Sequence, residues 1–453
     1  MTVFLCERML RSADAEIEPN MAVTVEAGRI LSVAAIAEQD RARVDAISLP
    51  GLTMPGLIDA HTHLRSTPAI EQSKLPGLEF AQWTVALNGM TPVPQRLDAE
   101  VAAVEALRAG VTGVQVILHS FGDRQQRLAE LSDAIAALEQ TGVRGLVVVG
   151  FTDQAEYARP GADSGFAPHR GMLLEEWPGF LDQARALVAA ASDTISLAIG
   201  PVAPQWCSDQ ALEVLAAARG ELRVHTHLHE SDTHREWLGD GETPLARLHR
   251  HGLLGSFASV AHGVHLHGDE LALLAELGVT IVHCPNSNEC LGVGQAAVSG
   301  WLAAGVQPAL GMDSQATPKA DMFAEMRAAL ETSRLCDGLL EPVNVLQFAT
   351  LGGAAATGAP SGEIAPGKFA DLVVLASSAS TVAELVSESD PGDVRAVFVG
   401  GAARWPLSAQ QLEAVDARTV ELQQIVSLDS AQRQSRIGAL LSNFTLESYG
   451  GAR

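Results

Sequence analysis

Fourteen histidines in a 453-residue chain are unremarkable in number but not in spacing. Chance placement would give roughly 0.4 pairs at i,i+2. Five occur: His61/His63, His225/His227, His227/His229, His249/His251 and His265/His267. Alternation along a strand puts residues i and i+2 on one face. Two imidazoles one step apart can share a divalent metal, and imidazole suits Zn2+, Fe2+ or Ni2+. For an isolated H-x-H, two ordinary polar residues at a strand end is an equally good reading.

The remaining chemistry-bearing residues fall at comparable places. His61 and His63 close the apolar stretch PGLIDAHTH, and RVHTHLHES puts His225 and His227 on one strand face. Glu230 follows His227 as H-x-x-E, and a carboxylate beside a metal-activated water is what a hydrolytic proton shuttle requires. His225, deeper in its strand, reads as a hydrogen-bonded core residue. His229, at the strand's end, is expected to leave the strand or to point the other way, as a loop contact or a solvated side chain. His262 ends the strand in SVAHGVHLHGDE, whereas His267 reads as a loop residue entering a helix. His283 in IVHCPNSNECLGVG and Asp313 in LGMDS occupy strand ends as well. A lone strand-terminal Asp is ordinarily a cap or turn former. Four histidine-bearing strand ends aimed at one rim make Asp313 a ligand candidate instead.

Those strand ends need a scaffold. Apolar, β-branched runs occur at Leu57–Ala60, Val111–Leu118, Arg144–Val149, Ile195–Ile199, Leu222–His225, Ala258–Ala261, Val279–Val282 and Gln307–Gly311. Between them lie Ala-, Leu- and Glu-rich segments of helical length, such as LAELSDAIAALEQTG and DELALLAELG, closed by Gly. Eight such alternations predict a (β/α)8 TIM barrel, whose sites sit at the carboxyl ends of the strands. An open doubly wound sheet would need a phosphate-cradling glycine loop, and neither G-x-G-x-x-G nor a Walker pattern joins a strand to a helix here. Short β-rich pieces flank the barrel at 22–36, 368–377 and 394–404. They predict a small discontinuous β-sandwich domain built from residues 1–53 and 362–407, around a barrel spanning 54–361. The polar segment 408–453 is expected to be a helical tail.

Composition narrows the function. Fifty-four acidic residues against 30 basic ones give a net charge of −24, which repels phosphate backbones and anionic lipid. The apolar content of 47% argues against disorder. Five scattered cysteines without C-x-x-C spacing read as free thiols in a reducing compartment. With no signal-peptide pattern and no apolar run of about 18 residues, the expected setting is cytoplasmic, without nucleic-acid or membrane partners.

The stretches PGLIDAHTH, VHTHLHES, AHGVHL, VHCPNSNECLGVG and LGMDS, with GEIAPGKFADLVVL on the return to the small domain, closely resemble the amidohydrolase superfamily. The likeness is to its mononuclear metal aminohydrolases, which include nucleobase, adenosylhomocysteine and pterin deaminases and the triazine hydrolases. It runs up to about Arg404. It implies that His61, His63, His227 and Asp313 hold one divalent metal, zinc first and iron or nickel as alternatives. Glu230 would be the proton shuttle, His262 would contact the water or leaving group, Asp313 would also take up a proton, and His283 would line the site. Dinuclear members carry a lysine at the end of the fourth strand, where this chain reads ISLAIGPVAP. The implied reaction is hydrolytic deamination of an amino-substituted heterocycle (purine, pyrimidine, pterin or triazine), a metal-activated hydroxide attacking the ring carbon. Hydrolysis of a cyclic amide or a ring halide is the alternative. A homo-oligomer, dimer or larger, is also implied.

Specificity is expected from two long loops, 65–94 with Gln82 and Trp83, where a Trp can stack on a flat heterocycle or, more commonly, serve as a core or lid aromatic, and 151–178 with Arg170. His119 is a further candidate at the end of the second strand. Many relatives carry Asn shortly after the last strand's Asp, but this chain reads Gln315-Ala316-Thr317, so the resemblance assigns no particular nucleoside.

Overall fold

The apolar runs form two sheets in the computed structural model, which describes all residues except 42–44, 70–71, 73–79, 120–121, 155, 157–170, 240, 315, 318–320, 337, 339 and 445–453. Four N-terminal strands come first: β1 (Thr2–Leu10), β2 (Ile17–Glu26), β3 (Arg29–Ala35) and β4 (Ile47–Pro55). The barrel strands follow in chain order: β5 (Leu57–Thr62), β6 (Val111–Leu118), β7 (Arg144–Phe151), β8 (Ile195–Pro201), β9 (Arg223–Leu228), β10 (Ala258–His262), β11 (Thr280–His283) and β12 (Gln307–Leu310). Each pairs in parallel with its sequence neighbour. The first and last meet where Asp313 N donates to His61 O at 2.9 Å, bringing the two ends of the sheet together. The expected barrel is present.

Barrel strands are covered on both faces, so β5 and β6 are buried at every position. Parallel strands in that setting read as continuous apolar runs instead of alternating ones, which is why VTGVQVIL shows no clear period of two. The intervening helices close the layer outside. In Arg124–Thr141, the Asp123 side chain accepts from Gln126 N at 2.9 Å, and the chain leaves through Gly142 at φ 71°. The short carboxylate satisfies a free N–H at one end, and only glycine adopts the left-handed turn at the other without strain.

The terminal segments make the second sheet. β13 (Leu372–Leu375), β14 (Val394–Val399) and β15 (Ala402–Trp405) join it in the order β15-β14-β13-β4-β1-β2-β3. β4 runs parallel to β1 and antiparallel to β13, so it links the two ends of the chain. Phe4 meets Phe398 edge-on, with ring centroids 4.9 Å apart, and Met21, Val23, Ile30, Leu49 and Leu372 complete the same buried apolar cluster. Arg144 ties this sheet to the barrel. Its guanidinium donates to both Asp371 oxygens at 3.1 Å and lies 3.7 Å over the Phe369 ring.

The polar tail forms two helices, Ala409–Leu428 and Ser430–Asn443. They pack against the helix Gln95–Arg108 and beside Phe80–Ala86. No described helix is long and apolar enough to cross a membrane.

Candidate metal centre

At the carboxyl mouth of the barrel, short-range alternation delivers side chains from four strands to one point. The His61 ring lies 4.8 Å from His227 and 5.3 Å from His262, and the rings of His63 and His227 stack 5.5 Å apart. Asp313 Oδ1 lies 3.6 Å from His61 Nε2 and 3.2 Å from His63 Nε2. Two overlapping groups, His61–His63–Asp313 and His61–His227–His262, each bring their ligand atoms within 4.8 Å of one another. All five side chains are buried.

Backbone geometry helps aim them. His262 and Asp313, each just where its strand gives way to a loop, adopt φ 71° and 46°. Non-glycine residues held there cost on the order of 1–3 kcal/mol and persist where surrounding structure over-determines them. Here the strained pair turns two side chains toward the mouth.

The ring nitrogens sort themselves by partner. His227 Nδ1 donates to Val202 O at 2.7 Å and His63 Nδ1 to Ile117 O at 3.2 Å, while His61 Nδ1 lies 2.8 Å from His225 Nε2. Each contact occupies the far nitrogen and leaves Nε2 facing the cluster. The Nε2 atoms of His61 and His262 are buried without any hydrogen-bond partner. A buried polar atom in that state calls for an explanation, and an ion is the simplest. Burial, reinforced by the neighbouring imidazoles, pushes His61 and His227 well below the ordinary histidine range and keeps their lone pairs free. Burial alone would raise the Asp313 carboxyl, but the hydrogen bond and charge of His63 outweigh it and hold Asp313 below the usual carboxylate range. Neutral imidazoles with one ionised carboxylate are a donor set suited to a divalent metal.

Glu230 sits beside this cluster. Its Oε1 is 3.8 Å from His262 Nε2 and its Oε2 is 3.9 Å from His234 Nδ1. Burial raises its carboxyl to about 7, against the lowering effect of His262. A carboxyl poised near neutrality is able both to accept and to donate a proton.

The other sequence candidates separate. His119 stands 6.3 Å from the His63 ring, stacks on Trp206 at 6.2 Å, and its Nε2 lies 3.3 Å from Glu156 Oε1. His283 is fully buried, with both ring nitrogens lacking a partner and an edge contact to Trp301 at 5.8 Å. Trp83 is not an open platform: it is buried in an apolar cluster with Ala69, Leu291, Val293 and Ala316. Gln82 is half-buried on the same helix. Arg170 lies outside the described residues. His229 turns away from the cluster, where Arg235 donates to its Nδ1 at 3.3 Å.

Four participants escaped the sequence reading. Asn288 Oδ1 lies 3.0 Å from His262 Nδ1, and Ser287 Oγ donates to Asp313 Oδ2 at 2.5 Å. His234 and Glu156 are the others. Ser287 and Asn288 lie on the helix Pro285–Leu291, and their targets lie on β10 and beyond β12.

The amidohydrolase family model matches residues 52–404. Over 337 residues the chain is 34% identical to a 5-methylthioadenosine/S-adenosylhomocysteine deaminase of Haloarcula marismortui, covering 72% of this chain and 73% of that one. It is 32% identical over 333 residues to a 5'-deoxyadenosine deaminase of Methanothermobacter thermautotrophicus, covering 72% and 73%. Among solved structures, an adenosine deaminase of Xanthomonas campestris with bound zinc is similar at TM-score 0.76 and 25% identity, over 97% of this chain and 98% of that one. The zinc complex of atrazine chlorohydrolase from Arthrobacter aurescens gives TM-score 0.78 at 20% identity, over 94% and 100%, a likeness of fold alone.

Proposed function

Because the chain belongs to the amidohydrolase family, we propose that it hydrolyses the exocyclic C–N bond of an amino-substituted heterocycle, with ammonia leaving, and that His61, His63, His227 and Asp313 hold one zinc ion for the purpose. When bound there, a dication lowers the pKa of a water toward about 7 and supplies the nucleophile. Asp313, ionised and adjacent, would help hold the ion and would be placed to orient or take up a proton from the attacking water. Glu230 carries a proton to the exocyclic nitrogen, so that the group leaves as ammonia and not as an amide anion. His262, 3.8 Å from Glu230, would contact the attacking oxygen or the leaving group at the reacting carbon. Burial of all these groups excludes bulk water from the reacting atoms.

The observation that carries this reading is the protonatable Glu230 carboxyl beside the histidine cluster, since a halide leaving group needs no acid. The relatives named for adenosine derivatives put 6-aminopurine nucleosides first among the substrates. The test is ammonia release by the purified, zinc-loaded protein from adenosine, 5'-methylthioadenosine, S-adenosylhomocysteine, guanine and an aminotriazine. Ammonia from none of them, with chloride or a ring-opened acid formed from halogenated or cyclic-amide substrates, would favour the alternative. Glu230→Gln should retain zinc and lose about 10²–10⁴-fold in kcat, the usual contribution of a general acid–base. Undiminished turnover would remove the assigned role.

A further inference from the structure

Below the histidine cluster, one side of the barrel interior is polar. Bulky apolar residues ordinarily fill such layers, and a buried polar group left without a partner is costly. Yet Gln115 of β6, His225 of β9 and Ser259 of β10 lie fully buried together. Gln115 Nε2 donates to Ala60 O at 2.7 Å and to Ser259 Oγ at 3.1 Å. Ser259 Oγ lies 2.8 Å from His225 Nδ1, and His225 Nε2 lies 2.8 Å from His61 Nδ1. The network therefore starts at the peptide preceding His61 and returns to the His61 ring. Strand register makes it possible, because Ser259 and His225 are direct partners in the β9–β10 ladder.

Resting on the metal-site reading above, we propose that His225 is a positioning residue, holding His61 in the Nδ1–H tautomer so that its Nε2 lone pair faces the metal. The direction follows from donor and acceptor counts. A neutral imidazole has one N–H and one lone pair. If His61 ligates through Nε2, its hydrogen is on Nδ1 and is donated to His225 Nε2. His225 then carries its own hydrogen on Nδ1 and gives it to Ser259 Oγ. That oxygen has two lone pairs, one for His225 and one for the Gln115 amide. The opposite order would place a hydrogen on His61 Nε2, where no cation can bind. Gln115 accommodates the productive order, because Ser259, accepting from His225, can turn its own hydroxyl hydrogen to Gln115 Oε1, 3.4 Å away. The relay also fixes the plane of the His61 ring, which belongs to both ligand groups in the cluster.

The test compares zinc affinity, by competition with a chromophoric chelator, in the full-length wild type, His225→Phe, His225→Gln and Ser259→Ala. The absorption spectrum of each Co2+-substituted protein is recorded alongside. His225→Phe should weaken zinc binding about 10–100-fold, the usual effect of losing an outer partner of a ligating histidine, and shift the Co2+ bands. His225→Gln, whose side-chain oxygen can accept from His61 Nδ1–H, should recover most of the affinity and the wild-type spectrum. Should His225→Phe fail to fold, Ser259→Ala carries the same expectation, because it removes the acceptor for His225 Nδ1–H while keeping the His225 ring. Wild-type affinity and spectrum in both His225→Phe and Ser259→Ala would overturn the relay while leaving the metal site standing. A wild-type chain that takes up no zinc would instead defeat the metal-site reading itself.

Discussion

Asn288 sets which nitrogen of His262 looks into the mouth. Its Oδ1 sits 3.0 Å from His262 Nδ1, and a carbonyl oxygen can only accept, so the ring hydrogen is held on Nδ1. His262 Nε2 is then a lone pair, 3.8 Å from Glu230. Asn288→Leu should let the ring turn and change tautomer, lowering kcat by about 10–100-fold with zinc content unchanged. Steady-state ammonia release with elemental analysis checks this, and an unaltered kcat would show that His262 needs no such support. Much at this scale was legible in the sequence. That His61, His63, His227, His262 and Asp313 share one mouth follows from period-two alternation and from where apolar runs stop, both local properties. Asn288 and Ser287 were not legible as partners of His262 and Asp313, because such contacts depend on how non-adjacent segments fold back over the barrel mouth. Trp83 shows the limit from the other side. Its residue type fitted a stacking role, but its neighbours Leu291 and Val293 lie more than two hundred positions along the chain and bury it.

Elements position the site through close packing between strands. Gly200 on β8 shows how little slack there is: a Cβ built there would lie 1.9 Å from His225 O, a backbone atom of β9. No side-chain rotation relieves a clash with a carbonyl, so Gly200→Ala must push β9 away from β8. That strand carries both His225 and His227, and His227 N donates to Val202 O at 3.0 Å just past the same contact. Overpacking of a well-filled interior costs typically about 1–3 kcal/mol. The variant should therefore unfold at a lower temperature and bind zinc more weakly, as thermal unfolding with and without added zinc would reveal. A normal melting point with normal zinc affinity would show that β8 and β9 separate freely. The sequence made the eight barrel strands and their helices legible because each is a long local pattern bounded by turn residues. It showed the small sheet only as scattered β-rich pieces, since the pairing of β4 with both β1 and β13 joins segments some three hundred residues apart.

At the scale of the whole molecule, the helical tail acts on the site at one remove. Arg433 is buried almost completely, and its guanidinium donates to Gln72 O at 2.9 Å, Thr91 Oγ1 at 2.5 Å and Val426 O at 2.7 Å. Gln72 and Thr91 stand near the two ends of loop 65–94, so one side chain from the tail staples that loop at both ends. Ile437 packs against Gly89 in the same loop, where a Cβ would meet Ile437 at 2.7 Å. Loop 65–94 in turn places Trp83 against the segments that follow β11 and β12, beside the mouth. Nothing in the tail's composition pointed to this, because a polar helix with one buried arginine looks like any solvated helix until its partner is known. Arg433→Leu would leave three acceptors without their charged donor, at a cost of roughly 1.5–3 kcal/mol for each such bond lost. The proposed metal ligands lie on or just beyond barrel strands and are not among the contacts of Arg433, so zinc stoichiometry and kcat should hold while KM rises and the melting temperature falls. A loss of zinc at unchanged KM would make the tail a support for the barrel as a whole and not for the loop proposed to border the substrate.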